Sequence, residues 1–201
     1  RRGGSRRVGP AAGGRYSLAR ASSSSEATEL HNVTCTGGRK RPTGTPLDIA
    51  VIEAVYEASR GIVVVDEAYW EFAPKDAASA ITLLEGRPRL LVSRTMSKAF
   101  AFAGARVGYL AADPAVIDAL RLVRLPYHLS ALTQAAALAA LDHSSEMLGM
   151  VDEIVVQRDR ISATLTELGY TPLPSWSNFV LFGGIADPAT LWQQLYDRGN
   201  L

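Results

Sequence analysis

The sequence predicts an α/β protein with a mainly parallel sheet, because short apolar runs alternate with helical segments from about residue 42 onward. The run 62–65 contains only β-branched residues, which is typical of a strand that is buried on both faces of such a sheet. The composition agrees with a soluble globular chain, since 47% of its 201 residues are hydrophobic and 20% are charged. The expected strands are 62–65, 90–92, 107–110 and 178–182.

The expected helices are bounded by residues that favour helix ends. Asp113, Ser130 and Asp187 can each accept a hydrogen bond from the first turn of a helix, and proline follows both aspartates at the first helical position. Gly61 and Gly169 mark the ends of two helices, because glycine readily adopts the left-handed conformation that stops a helix. The helices are expected at 46 to about 60, 114 to about 123, 131–141, about 145–168 and 188 to about 199.

Residues 1–40 differ sharply from the rest of the chain. They carry eight Lys or Arg residues against two acidic ones, with glycine pairs, a run of four serines and almost no apolar periodicity. Such a segment buries too little surface to offset its ordering entropy, so we expect it to be disordered.

Three interpretations of this segment compete. An organelle transit peptide would have an amphipathic helical period, and a basic arm for nucleic acid would have more aromatic residues than Tyr16 alone. We favour a misread or truncated start, because an out-of-frame reading of GC-rich coding sequence would give Arg, Gly, Ser, Ala and Pro.

Charge and the contents of cysteine and histidine narrow the class of protein further. The net charge of +1 gives no electrostatic argument for a nucleic-acid or membrane partner, and no apolar run approaches the length of a membrane span. Cys35 is the only cysteine, so a disulfide framework and a four-cysteine zinc site are excluded, and a reducing compartment, the cytoplasm, is expected. His31, His128 and His143 lack the spacing of metal ligands, so no metal site is expected.

The first candidate site follows the run 62–65 and consists of Asp66-Glu67-Ala68-Tyr69. Ligands of α/β sheets bind at the carboxyl ends of the strands, where a carboxylate needs a cationic or hydrogen-bonding partner. The alternatives are a helix N-cap and a magnesium ligand of an ATPase-like site. No Gly-Lys-Ser/Thr phosphate loop precedes the segment, so the ATPase interpretation is excluded. A functional acid and a simple N-cap both stay open on these residues alone.

The second candidate site follows the run 90–92 and reads Ser93-Arg94-Thr95-Met96-Ser97-Lys98, with Arg106 a few residues further on. We expect all of these residues to lie in a loop after the strand. Their hydroxyl, amino and guanidinium groups suit a phosphate, because a guanidinium can bind two oxygens at once. The alternative is that they are solvated loop residues without a ligand.

Together, these two segments and the later Ala-Gly-x-Arg-x-Gly-Tyr pattern resemble the fold-type I pyridoxal-phosphate (PLP) aminotransferases. The segment 94–108 (RTMSKAFAFAGARVG) is especially similar to the histidinol-phosphate aminotransferase family. Further similar segments are 42–46 (PTGTP), 123–130 (VRLPYHLS) and 177–182 (SNFVLF). The resemblance implies a partial PLP-binding large domain at 42–145, an incomplete α+β C-terminal small domain at 146–201, and a segment 1–41 that is not family sequence.

The resemblance also implies roles for individual residues. Lys98 would bind pyridoxal 5'-phosphate covalently and would move a proton once substrate has displaced it. Asp66 would pair with the pyridinium nitrogen, and Tyr69 would donate a hydrogen bond to the phenolic oxygen of the cofactor. The cofactor phosphate would be bound by Thr95, Ser97 and Arg106. Glu67 is interpreted as structural, and Arg94 is left without a role.

The reaction that the resemblance implies is exchange of an amino group between L-histidinol phosphate/imidazole acetol phosphate and glutamate/2-oxoglutarate, in histidine biosynthesis. The partners would be a small-molecule amino donor, a 2-oxo acid and a second copy of the chain in a homodimer, and Asn178 would lie near the substrate by position. The alternatives are an aromatic amino-acid aminotransferase, an enzyme like threonine-phosphate decarboxylase, or an inactive truncated product.

The chain departs from the family pattern at two places. Lys40 and Arg41 stand where the family has Asn-Asn before Pro-Thr/Ser-Gly, so the amide that would contact the phenolic oxygen of PLP is absent. The sequence also stops at Leu201, before the arginine that binds the substrate carboxylate in the family. We therefore expect the chain on its own to be inactive.

Overall fold

The computed structural model describes residues 44–45 and 47–200, together with the backbone of three short strands that precede them. Two of these strands, β1 (Arg7–Val8) and β2 (Tyr16–Ser17), pair with each other in an antiparallel ladder. The third, β3 (Val33–Cys35), joins the main sheet. The expected disorder of residues 1–40, and the expected origin of 1–41 outside the family, concern residues that lie mostly outside the described part.

The main sheet has four strands in the order β3-β4-β5-β6, where β4 is Val63–Asp66, β5 is Leu90–Thr95 and β6 is Gly108–Ala112. Strands β3, β4 and β5 are parallel, and β6 is antiparallel to β5. The prediction of a mainly parallel sheet is therefore confirmed. The sequence did not predict β3, because this strand lies in a segment without apolar periodicity.

The core lies against one face of β4. Val63 and Val65 are fully buried there, whereas Val64 on the opposite face is only half-buried. The expected burial of this strand is therefore confirmed for one of its faces and not for the other. Helix α1 (Ile49–Ala58) covers the buried face. Full burial of one aliphatic side chain stabilises a fold by about 1.5–3 kcal/mol, so this cluster is a major source of stability. Its buried members are Ile52, Tyr56, Val63, Val65, Ala80, Leu83, Leu90 and Val92.

Four further helices follow in the expected order. They are α2 (Pro114–Val123), α3 (Ala131–Asp142), α4 (Ser144–Glu167) and α5 (Pro188–Asp197). The three predicted N-caps are confirmed, since each of their side chains accepts a hydrogen bond from a backbone N–H of the first turn; the caps are Asp113, Ser130 and Asp187. Helix α1 begins three residues later than expected, because Asp48 is its N-cap and accepts from the N–H of Ala50.

Two strands differ by more than two residues from their expected bounds. Ser93, Arg94 and Thr95, which we expected in a loop, belong to β5, because β6 continues the ladder by pairing with all three. The strand expected at 178–182 is limited to β8 (Phe182–Gly183), which pairs with β7 (Thr171–Pro172).

A second apolar cluster connects α4 to the chain that follows β4. Its buried members are Tyr69, Phe72, Ala99 and Val151. Arg158 of α4 strengthens the connection, because its side chain is about nine-tenths buried and Nη1 lies 3.4 Å from the carbonyl oxygen of Phe72 and 3.3 Å from that of Ser177. The long helix is thus held to residues on both sides of it in the sequence.

Helices α2 and α3 bury no residue against the described part of the chain. Large apolar side chains are instead exposed on and between them, as at Leu122 and Tyr127. Within residues 44–45 and 47–200, no helix has both the length and the apolar character needed to cross a membrane.

Candidate active site

The carboxyl end of β4 carries the first predicted site residue, Asp66. Its Oδ1 accepts a hydrogen bond from the N–H of Ala68 (3.0 Å) and lies 3.5 Å from Oγ of Ser93, which is its neighbour in the β4–β5 register. The side chain is half-buried. Because β4 and β5 are parallel, their carboxyl ends meet at one edge of the sheet, where ligands of α/β proteins bind.

Lys98 lies close to Tyr69 at this edge. The chain turns after β5, and Nζ of Lys98 lies 5.6 Å from the centroid of the Tyr69 ring, within the range of a cation–π contact. Two aromatic contacts also hold Tyr69, since its ring packs edge-on against Phe179 at 5.6 Å and tilted against Phe72 at 6.4 Å. Ala99 is buried in the same cluster, which anchors the backbone next to Lys98.

The predicted phosphate-binding hydroxyls form a compact pair. Oγ1 of Thr95 lies 2.9 Å from Oγ of Ser97 and 3.2 Å from the carbonyl oxygen of Val107, and it accepts from the N–H of Ser97 at 3.1 Å. Both side chains are half-buried. Two hydroxyls and a backbone N–H thus lie together directly before Lys98.

Arg106 lies on the loop that returns to the sheet beside this pair. The Met96 N–H donates to the carbonyl oxygen of Val107 at 3.0 Å, so the residue after Arg106 is bonded to the turn that carries Lys98. The guanidinium is exposed, and Nη1 donates to the carbonyl oxygen of Ala103. Arg106 has a φ of 54°, a left-handed conformation that is unfavourable for a residue with a Cβ. The structure therefore places the backbone of Arg106 next to the turn that carries the hydroxyls, in a conformation that costs backbone energy.

Glu67 and Arg94 form a buried ion pair that the sequence did not predict. Glu67 is 2% exposed, and its Oε2 accepts from Nε and Nη2 of Arg94 at 3.1 and 2.8 Å. Burial lowers the pKa of Arg94, but its hydrogen bonds and charge interactions with Glu67 and Tyr109 outweigh this effect and raise the pKa above its ordinary value. The sequence did contain a sign of this ion pair. The oppositely charged Glu67 and Arg94 directly follow Asp66 and Ser93, at which the two strands pair.

A second contact that the sequence did not predict brings Gly44 together with residues 175–179. Gly44 is buried with a φ of +73°, and its carbonyl oxygen accepts from the N–H of Trp176 at 3.0 Å. A Cβ at this position would lie 2.7 Å from the Oγ atoms of both Ser175 and Ser177. Phe179, which contacts Tyr69, follows in the same segment, whereas the neighbouring Asn178 is exposed.

The histidines of the described part stand apart from this edge in sequence and in their contacts. His128 and His143 are exposed, and Nδ1 of His143, which directly precedes α4, lies 3.2 Å from Oε1 of Glu146 in the first turn of that helix. Among the residues that the structure describes, no three His, Cys, Asp or Glu side chains come together as metal ligands would.

Comparisons with known proteins give the family of the chain. The family model for aminotransferase class I and II matches residues 18–201. A histidinol-phosphate aminotransferase of Paenarthrobacter aurescens (strain TC1) is 62% identical over 163 residues, and one of Streptomyces avermitilis is 56% identical over 164 residues. Each match covers 80% of this chain and 44% of the relative, so the chain spans less than half the length of these relatives.

The fold agrees as well. The crystal structure of histidinol-phosphate aminotransferase from Sinorhizobium meliloti in complex with pyridoxal-5'-phosphate superposes with a TM-score of 0.69 and 31% sequence identity. The superposition covers 83% of this chain and 45% of that one. The predicted fold-type I architecture is therefore confirmed, and the chain belongs to the class I and II aminotransferase family.

Proposed function

We propose that the protein catalyses PLP-dependent transamination between L-histidinol phosphate/imidazole acetol phosphate and glutamate/2-oxoglutarate, a step of histidine biosynthesis. The observation that carries the proposal is the position of Lys98, whose Nζ lies 5.6 Å from the Tyr69 ring at the sheet edge that Asp66 also occupies. The names of relatives that are 56–62% identical over 80% of the chain support the choice of substrate.

The chemistry of the donor set fits PLP. The cofactor has an aldehyde, a basic ring nitrogen, a phenolic oxygen and a phosphate, and the site offers a matching partner for each. Lys98 supplies an amine, Asp66 a carboxylate and Tyr69 a phenol. The groups that suit the phosphate are Thr95, Ser97 and Arg106.

When bound, PLP supplies an electron sink that makes the bond between the substrate Cα and its hydrogen labile. Lys98 would hold the cofactor covalently through Nζ and, after substrate displaces it, would move the proton at the substrate Cα as a general base. The half-buried position of Lys98 keeps Nζ accessible to the substrate while Ala99 fixes its backbone.

Asp66 would keep a proton on the ring nitrogen, because an anionic carboxylate beside a base favours its protonated form. The hydrogen bond from the Ala68 N–H fixes the orientation of this carboxylate. Tyr69 would donate a hydrogen bond from its hydroxyl to the phenolic oxygen, and the packing of Phe179 and Phe72 against its ring limits the positions that the hydroxyl can reach.

The phosphate would be held by two hydroxyls and a guanidinium. The contact between Thr95 and Ser97 pre-arranges both oxygens at one place, so little side-chain freedom is lost when an anion binds. Arg106 would add the charge that neutral hydroxyls lack.

The domain arrangement and the partners are part of the same proposal. We place a PLP-binding large domain at 42–145 and the start of a small domain at 146–201, close to the point where α4 begins. A homodimer is supported by the exposed apolar side chains of α2 and α3, since a partner normally covers such a surface. A single cysteine agrees with a cytoplasmic location.

The test is a cofactor and substrate assay on the purified full-length protein, because the chain spans less than half the length of its relatives and we expect it to be inactive on its own. Addition of PLP should produce a visible absorption band, and borohydride reduction followed by peptide mass spectrometry should find the cofactor on Lys98. Amino transfer from L-histidinol phosphate to 2-oxoglutarate should exceed both transfer from phenylalanine and decarboxylation of threonine phosphate. A PLP adduct on another lysine, or a preference for one of the other two substrates, would contradict the proposal.

A further inference from the structure

Beyond the residues that would touch PLP, we infer that the Arg94–Glu67 ion pair is a positioning device that holds Asp66 in its working place relative to Lys98. The inference rests on the proposed function, because Asp66 and Lys98 are the residues that would bind the cofactor.

The argument begins with the alternation of side chains along a strand. Neighbouring residues of a strand point to opposite faces of the sheet. Asp66 and Ser93 face each other on one side, as their 3.5 Å contact shows. The next residues are Glu67, directly after the end of β4, and Arg94 within β5, and their side chains meet on the other side at 2.8 Å. The ion pair is therefore the opposite-face neighbour of the pair that contains Asp66.

The ion pair is fixed from several elements. Oε1 of Glu67 accepts from the N–H of Ala80 at 2.7 Å, and Oγ of Ser79 donates to Oε2 at 2.8 Å. Nη2 of Arg94 lies 2.9 Å from the same Oγ, and the guanidinium lies over the ring of Trp70 at 5.4 Å. The carboxylate and the guanidinium thus share one hydroxyl, which leaves each of them little freedom to move.

The place of the pair explains why it would matter. The parallel ladder between β4 and β5 ends at Asp66 and Ser93, and only the hydrogen bond from the Glu67 N–H to the Ser93 carbonyl, at 2.8 Å, continues it. Two acids stand next to each other in the sequence, and a shift of one residue would bring Glu67 to the cofactor face in place of Asp66. Glu67 and Arg94 are the first residues beyond this ladder. Their ion pair therefore prevents such a shift and any smaller displacement of the strand ends.

The main test is Arg94→Lys, which keeps the positive charge but loses the planar group that reaches Glu67 and Ser79 together. We expect the dissociation constant for PLP, measured from the visible band, to rise about tenfold, the effect of one lost charge-assisted hydrogen bond. The measurement is made on the full-length protein, at a temperature where circular dichroism shows the apoprotein to be folded. A dissociation constant within about twofold of wild type would overturn the inference.

The matched control is Arg87→Lys. Arg87 also forms an ion pair, with Nη2 2.8 Å from Oε1 of Glu53, and it also donates to a carbonyl oxygen, that of Leu83. It precedes β5 and lies away from the carboxyl ends of the strands. We expect the dissociation constant of Arg87→Lys for PLP to stay within about twofold of wild type. An equal loss of PLP affinity in Arg87→Lys and Arg94→Lys would overturn the inference.

A double-mutant cycle separates positioning from simple structural support. If the pair acts through Asp66, Arg94→Lys should weaken PLP binding about tenfold in the wild-type background but less than about threefold in Asp66→Asn. The same loss in both backgrounds would mean that the pair supports the fold alone, and would refute the inference.

A milder variant decides the case if Arg94→Lys does not fold. Ser79→Ala leaves the ion pair in place and removes only the shared hydroxyl, so about threefold weaker PLP binding is expected, again absent in Asp66→Asn. Unchanged binding in Ser79→Ala would then overturn the inference. A wild-type protein without any visible band on addition of PLP would instead overturn the proposed function itself, so the two failures are distinguishable.

Discussion

Replacement of Gly44 by alanine is expected to lower the free energy of unfolding by about 2–5 kcal/mol, which is a large effect for the addition of one methyl group. Gly44 has a φ of +73°, and a residue with a Cβ loses about 1–2 kcal/mol in this conformation. The new Cβ would also lie 2.7 Å from the hydroxyls of Ser175 and Ser177, so both must move. These hydroxyls bond to each other and to the Phe179 carbonyl oxygen, and each lost hydrogen bond costs about 0.5–1.5 kcal/mol.

Gly86→Ala is the matched control for the backbone contribution. Gly86 has nearly the same φ, +72°, but a Cβ there meets no atom within 4 Å. Only the conformational cost applies, so a loss of about 1–2 kcal/mol is expected. The difference between the two variants therefore measures the displacement of the serine hydroxyls.

The assay is urea unfolding, followed by circular dichroism and by tryptophan fluorescence, since Trp176 bonds directly to Gly44. The Gly44 variant should also bind PLP more weakly, because the segment it displaces carries Phe179, which packs against Tyr69. If Gly44→Ala and Gly86→Ala lose the same free energy within about 0.5 kcal/mol, the reasoning from the serine contacts is refuted.

Three other variants test the site and the electrostatics. Lys98→Ala should lose the visible PLP band, the borohydride-stable adduct and transamination together. The control Lys75→Ala, which removes an exposed ion pair, should keep all three. An unchanged adduct in Lys98→Ala would disprove the assignment of Lys98. Asp66→Asn should still bind PLP but should transfer amino groups at least about a hundredfold more slowly, and single-turnover rates within a few-fold of wild type would exclude Asp66 as the partner of the ring nitrogen. Hydrogen bonds from the Thr190 side chain and backbone lower the pKa of Asp187, so its stabilising effect is complete above the unfolded pKa and is lost as pH falls through the folded one. The urea midpoint should therefore fall more steeply with acid in wild type than in Asp187→Asn, and parallel curves would refute this.

The helices were predictable because the signals that bound them are local. Asp113, Ser130 and Asp187 cap their helices from adjacent residues, so a few positions of sequence contain the whole interaction. The segments that follow β4 and β5 were likewise identifiable as candidate sites, because strand ends and side-chain types are both legible in the sequence.

The rest depended on contacts between distant parts of the chain. Ser93, Arg94 and Thr95 look like loop residues until β6 pairs with them, and no local pattern reveals that β6 is antiparallel. Tertiary pairing decides the state of polar residues at a strand end, and propensity does not. The contact of Gly44 with Ser177 joins segments from opposite ends of the described region, so it lay beyond any inference from neighbouring residues.

The left-handed conformation of Arg106 sets two selective pressures against each other. Glycine at this position would relieve about 1–2 kcal/mol of backbone energy, but it would remove the guanidinium that we propose for the phosphate. Laboratory evolution under heat alone would therefore enrich Arg106→Gly, whereas evolution under selection for the proposed transamination would retain arginine. The residue found at position 106 after many generations would thus show whether a population still depends on the proposed activity.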